Sequence, residues 1–246
     1  MKMSTILITG ASRGIGKAIA LKAAISGKYN KCIITGYKHE EALLEVQKGV
    51  MELQSYGDDF QCLPFIGNAG DISFIQRIYK EAGSVDVLIN NAAISYTGLL
   101  IDMSPDQWHN IISTNISSVY NTCHTFLPDM IKRKKGKIIN ISSVWGQRGA
   151  SCEVAYSATK GAINSFTKAL AKELAPSNIQ VNAIAYGMVD TEMNSHLSPE
   201  DIEDIKNDIP AGYILSCDEA AEAVIKALDM PNYMNGQIIT LDGGWM

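Results

Sequence analysis

Long apolar runs are missing from these 246 residues. None approaches the roughly 20 residues that a bilayer-crossing helix needs. Paired cysteines are missing too. Cys32, Cys62, Cys123, Cys152 and Cys217 are scattered and odd in number, without CxxC spacing, so neither a metal site nor a disulfide framework is expected. Positive charge is in deficit. The 21 lysines and arginines face 26 acids, a net −5, which argues against a nucleic-acid-binding protein. The N-terminus lacks a secretory apolar region followed by small cleavage residues, and its short apolar piece runs straight into a glycine motif, so it reads as part of the fold. Free thiols without a leader point to the cytoplasm. Low-complexity linkers, repeats and breaks in composition are also lacking, which leaves a single domain over residues 1–246. With 46% hydrophobic and 19% charged residues, the chain has the composition of an ordinary globular protein.

What is present is an alternation. Short β-rich apolar runs at 4–9, 31–36, 60–66, 85–90, 137–142, 179–185 and 237–241 are separated by helical stretches at 14–26, 40–55, 73–81, 105–133, 154–175 and 218–228. Strands alternating with helices predict an α/β fold, a three-layer, doubly wound parallel sheet of about seven strands covered on both faces, Rossmann-like. The runs holding Leu88-Ile89 and Ile138-Ile139 are continuously apolar, as doubly buried strands are. A polar excursion at about 190–213 interrupts the alternation. It carries a helix-start signal at Ser198-Pro199-Glu200-Asp201 and is expected to form a substrate lid.

The first strand ends in Thr9-Gly10-Ala11-Ser12-Arg13-Gly14-Ile15-Gly16. A strand, a tight glycine turn and a helix N-terminus make an anion site, because the helix's first N–H groups lack partners and its dipole favours negative charge. The spacing is GxxxGxG rather than GxGxxG, and it points to a dinucleotide. After the second strand no acid appears until Glu40. Arg13 and Lys38 could instead clasp a 2′-phosphate, which favours NADP(H); the blander role for Lys38 is a solvated turn lysine.

Tyr156 and Lys160 are four apart on one helix and share a face. An ammonium one turn away, with a cationic nicotinamide, would lower the phenol's pKa and make a general acid for carbonyl reduction. Ser143, at the end of a strand, could hold the substrate oxygen beside Tyr156. Ser142 reads as a structural hydroxyl.

These pieces resemble the short-chain dehydrogenase/reductase family over essentially the whole chain. The resemblance rests on Thr9-Gly10, Gly14-Ile15-Gly16, Asn90-Asn91-Ala92-Ala93, Asn115, Ser143, Tyr156 with Lys160, and Asp242-Gly243-Gly244. It implies that Asn115 is a fourth catalytic residue, whose backbone disturbs a long helix and holds a water linking Lys160 to solvent. It also implies that Asn91 and Ala92 touch the adenosine side of the cofactor. Asn68 and Ala69 would lie by the adenine, and Gly187, Val189 and Thr191 at the nicotinamide end. Asp71 could contribute there, though capping a helix is its simpler role. Tyr186 stands where many members have proline, and is expected to loosen that turn or to project into the substrate site.

Within the family the chain most resembles bacterial 3-oxoacyl-(acyl-carrier-protein) reductases of fatty acid biosynthesis. That implies an acyl-carrier-protein-bound carbonyl substrate, with a free ketone, sugar or steroid as the alternative. A nucleotide-binding scaffold without turnover is the rival from another class. Lys132-Arg133-Lys134-Lys135 and Lys137 could steer an acidic partner or simply complement a helix end. The resemblance further implies a homotetramer or homodimer, formed through the two long helices at 105–133 and 154–175. Ala155, Ala158, Ala162, Phe166 and Ala169 then either pack against a second copy or face the chain's own sheet.

Overall fold

A computed structural model describes residues 4–195 and 197–246; Met1–Met3 at the start of the chain, and His196 within the expected lid, lie outside the described residues. Seven strands, β1 Thr5–Ile8, β2 Lys31–Gly36, β3 Gln61–Ile66, β4 Val87–Asn90, β5 Gly136–Ser143, β6 Ile179–Tyr186 and β7 Ile238–Leu241, form one parallel sheet in the order β3-β2-β1-β4-β5-β6-β7. All seven expected runs become strands, with ends shifted by at most two residues. The order reverses between β1 and β4. In an open α/β sheet the crevice at that switch point is where ligands bind.

Alternation along each strand sorts the core into two layers. Ile6, Ile8, Ile34, Ile89 and Ile139 meet α1 Gly14–Ile25, α2 Glu40–Leu53 and α9 Cys217–Asp229 on one face. Leu7, Ile33, Leu88 and Ile138 meet α3 Ile72–Ala82, α5 Ser118–Arg133 and α7 Val154–Leu174 on the other. Among the described residues, no helix is long and apolar enough to cross a membrane.

The expected single helix at 105–133 is instead three pieces. α4 Pro105–Ile112 gives way to a π-helical turn, Ser113–Ser117, before α5 begins. Two further helices are present, α6 Trp145–Arg148 and α8 Pro199–Asp208. The start signal of α8 is realised as a capping box, in which Ser198 Oγ accepts from Asp201 N–H at 3.1 Å and the Asp201 carboxylate accepts from Ser198 N–H at 2.9 Å.

The basic run lies away from the crevice. Residues 132–135 close α5 at the N-terminal edge of β5, and the crevice is at the other edge. Eight residues of strand put about 23 Å between the two ends of β5. Arg133 donates to Val85 O at 2.6 Å and pairs with Asp86 at 3.6 Å; Lys135 reaches Asp86 at 3.7 Å, and Lys137 donates to Leu228 O at 2.5 Å. These cations are tied to their own edge of the sheet, and the run does not line the crevice.

Candidate active site

The C-terminal ends of β1, β2, β4, β5 and β6 open into a cleft of about 620 Å³. Its glycine end is held by Thr9, whose Oγ1 accepts from the Asn91 and Ala92 N–H groups at 3.0 and 3.1 Å, and by Asn91 Nδ2, which donates to Thr9 O and Gly10 O at 3.0 and 2.9 Å. Gly10 has φ +66°, and a Cβ there would stand 2.8 Å from Ala92 Cα. Only glycine fits such a position. A Cβ on Gly16 would stand 2.3 Å from Gly10 O. Gly16 therefore packs α1 against the turn, and unlike Gly10, Ser12, Arg13, Gly14 and Ile15 it does not line the cleft.

α1 begins at this turn without a side-chain cap and without an acid in its first turn. By contrast Asp71 caps α3, accepting from Ser73 N–H at 2.8 Å. That is the simpler of the two roles open to Asp71. An N-terminus of the α1 kind suits a pyrophosphate. Lys38 lines the cleft after β2, as do Asn68 and Ala69 after β3. Asn68 Oδ1 accepts from Gly70 N–H at 2.9 Å, and Ala69 O accepts from Asn121 Nδ2 at 3.0 Å, so both are fixed before any ligand arrives.

Ser143, Tyr156 and Lys160 meet in the middle of the cleft. Lys160 Nζ donates to Ile141 O at 2.8 Å and lies 5.4 Å from the Tyr156 ring centroid. Burial pushes the Lys160 ammonium down to about 8. Burial, and next the charge of Glu153, push the Tyr156 phenol up, against a hydrogen bond with Ser143 that pulls it down. The lowering expected of Lys160 is joined to that of a cationic nicotinamide; in the protein's own groups, burial outweighs what pulls the phenol down. The glycine at 146 lets α6 approach α7 closely, since a Cβ there would stand 2.5 Å from the Lys160 carbonyl carbon. Ser142 Oγ donates to Asn164 Oδ1 at 2.7 Å, the structural role read from the sequence.

Asn115 lies in the π-helical turn, buried behind the cleft wall rather than in it. Its Oδ1 accepts from Ile94 N–H at 2.8 Å, and its Nδ2 donates to Ile94 O at 2.9 Å and Thr159 Oγ1 at 3.0 Å. Gly187, Val189 and Thr191 line the far end, where Gly187 N–H donates to Leu241 O at 2.9 Å.

Of the two roles expected of Tyr186, projection into the substrate site is not met. Its ring is 3% exposed and its hydroxyl donates to Ala220 O of α9 at 2.6 Å. The residue shares the core face of Ile184, so its side chain points under the sheet and not into the substrate site.

The remaining wall is aromatic and apolar. Trp145 and Trp245 meet with ring centroids 5.2 Å apart, beside Met188, Met193, Leu197 and Ile205. Set into it are Ser95 and Glu153, joined by Ser95 Oγ donating to Glu153 Oε2 at 3.1 Å. Trp245, Ser95 and Glu153 were not singled out from sequence. The position of Glu153, three before Tyr156 on the same helix start, was the available signal.

A parallel sheet with a glycine-turn crevice at its switch point, and a Ser–Tyr–Lys set across from it, defines a dinucleotide-dependent oxidoreductase. The chain belongs to the short chain dehydrogenase family, whose sequence model matches residues 4–202; it is an oxidoreductase of CH–OH and C=O groups, and the family uses nicotinamide cofactors. It is 37% identical over 243 residues to the uncharacterized oxidoreductase YmfI of Bacillus subtilis, covering 98% of each chain. It is 37% identical over 248 residues to the 3-oxoacyl-[acyl-carrier-protein] reductase FabG of Staphylococcus aureus, covering 99% of each. Among solved structures, a protein from Agrobacterium tumefaciens provisionally named a gluconate dehydrogenase superposes with a TM-score of 0.88 at 30% identity, over 98% of this chain and 95% of that one.

Proposed function

We propose that this protein is an NADPH-dependent reductase of 3-oxoacyl thioesters carried on acyl carrier protein. The observation that carries the reductase chemistry is the convergence of Ser143, Tyr156 and Lys160 opposite the glycine turn. The thioester reading is supported by the likeness to FabG along the full chain.

The residues fit the cofactor. The uncapped start of α1 faces the cleft, with Gly10 in a conformation other residues resist. Arg13 in the turn before α1 and Lys38 after β2 both line the cleft, and no acid follows β2 before Glu40, which favours a 2′-phosphate over a bare 2′-hydroxyl. When bound, the reduced nicotinamide supplies hydride to the carbonyl carbon. Tyr156 gives the proton to the carbonyl oxygen, and Ser143 donates a hydrogen bond to that oxygen. Lys160, steadied by Ile141 O, adds positive charge near the phenol and, with the cationic oxidised ring, offsets the burial that holds the phenol up. Asn115 keeps the supporting role the family resemblance implies, through the π-helical turn. Residues 190–213 act as a lid, with Met193, Leu197 and Ile205 forming its inner surface.

The paired indoles of Trp145 and Trp245 favour a second reading, a free cyclic ketone or sugar stacked on that wall. Purified enzyme offered an acetoacetyl thioester beside a panel of ketones and sugars, each with NADPH and with NADH, decides between them. The proposal expects the thioester and NADPH to give the highest kcat/KM.

Self-association is part of the proposal. Of the five residues expected on the α7 face, Ala155 is buried and Phe166 packs against the chain's own core, while Ala158, Ala162 and Ala169 face outward. An outward stripe of small side chains suits close packing against a second copy, in a cytoplasmic homotetramer or homodimer.

A further inference from the structure

We propose that Trp245, paired with Trp145, sets the length of acyl chain the enzyme takes, ending the apolar side of the substrate pocket so that short 3-oxoacyl groups enter and long ones are refused. The inference deepens the carbonyl-reductase reading and rests on it.

Trp245 follows a tight turn that is built around Asp242. The Asp242 carboxylate accepts from Gly244 N–H and from Met246 N–H, both at 3.0 Å, and its carbonyl accepts from Trp245 N–H at 3.2 Å. The turn is seated on the far end of the expected lid. Ala211 N–H donates to Gly243 O at 3.0 Å, and a Cβ on Gly243, whose φ is +65°, would stand 2.8 Å from Ile209 Cγ2. The turn also lies against Gly187, where a Cβ would stand 3.0 Å from Asp242 Cα and 3.6 Å from Trp245 Cε3. The indole is thus fixed between the lid and the end of β6.

Its partner is fixed as well. Trp145 N–H donates to Ser143 Oγ at 3.2 Å, which ties the second indole to the residue that would hold the substrate oxygen. The two rings, 5.2 Å apart and tilted by 60°, both line the cleft. A ketone held at Ser143 and Tyr156 carries two substituents. The lip formed by Ser95 and Thr97 suits the polar thioester, and the indole pair suits the alkyl tail. Each methylene buried on such a surface raises affinity by about fourfold, until the tail meets the ring of Trp245. A longer tail advances only by displacing that ring, and with it the turn that Asp242 holds against the lid.

The test is Trp245→Ala beside Trp245→Phe. Steady-state kinetics with NADPH would compare acetoacetyl, 3-oxooctanoyl and 3-oxodecanoyl thioesters of N-acetylcysteamine. Wild type is expected to give its highest kcat/KM with the acetoacetyl compound. Trp245→Ala is expected to raise the long-to-short ratio of kcat/KM by about tenfold or more, chiefly through a lower KM for the long substrates. Trp245→Phe keeps an aromatic ring on Gly187 and carries the test if the alanine variant does not fold; its ratio is expected to rise by about threefold. A merely structural loss would lower all three lengths in step. A ratio unchanged in the folded variants, or a wild type that prefers the long chains, overturns the assignment. If wild type reduces no thioester of any length, the reading of the preceding section fails instead. Calorimetric titration of linear 2-ketones of the same lengths then judges Trp245 alone. The same shift toward long chains is expected in the variants, and an equal length dependence, or no binding to any of the proteins, overturns it.

Discussion

The side-chain amide of Asn115 holds both backbone groups of Ile94, accepting from its N–H at 2.8 Å and donating to its C=O at 2.9 Å. The loop after β4, which forms one lip of the cleft, is thereby tied to the π-helical turn and, through Thr159, to the helix of Tyr156 and Lys160. Replacing Asn115 by Leu leaves the Ile94 groups without their partner. A loss of about 1–3 kcal/mol in urea-unfolding free energy is expected, together with a fall in kcat. A variant as stable as wild type would remove Asn115 from this role.

Arg13 and Lys38 are expected to decide cofactor choice. The double variant Arg13→Ala, Lys38→Ala should lower the NADPH-to-NADH ratio of kcat/KM by about tenfold to a hundredfold, since charge-assisted contacts to a phosphate are the strong ones. An unchanged ratio would assign the preference elsewhere.

Lys160 links stability to pH. Its folded pKa, about 8, lies below the ordinary lysine value of 10.5. Between those values the unfolded chain binds the extra proton, so this group's contribution to stability rises with pH through the window. Below about 8 the buried charge costs on the order of 3 kcal/mol relative to high pH. A Lys160→Met variant is therefore expected to gain most over wild type below pH 8, and to lose that advantage progressively toward pH 10. A difference in unfolding free energy that is flat with pH would contradict the burial argument.

Ala162 lies on the outward stripe of α7. Ala162→Arg is expected to convert the assembly into smaller species by light scattering without unfolding the chain. Identical masses for variant and wild type would clear that face of any role in assembly.

The sheet was legible because Ile6, Leu7 and Ile8, or Ile138 and Ile139, form runs apolar on both sides, which few other structures require. The break in the helix at 105–133 was legible only through the family resemblance, which implies that Asn115 disturbs that helix. A π turn adds one residue to a helical turn without disturbing composition, so Asn115 gives no local sign of it. Tyr186 was misjudged for a different reason. Period-two alternation says that neighbours on a strand face opposite ways, but only the packing of α9 says which way is inward. The basic run at 132–137 could be read as a steering patch or as a helix end, because sequence order does not tell which edge of a sheet a helix end reaches. Glu153 escaped notice because an acid at a helix start is commonly a cap or a solvated charge.

The central claim is that the Tyr156 hydroxyl delivers the proton in a reaction whose cofactor is anchored elsewhere. Tyr156→Phe tests it most directly, with NADPH binding followed by fluorescence and turnover measured on the best carbonyl substrate. Cofactor affinity within a few-fold of wild type, with turnover lowered by about a hundredfold to ten-thousandfold, is the expected result. Turnover equal to that of wild type would contradict the account.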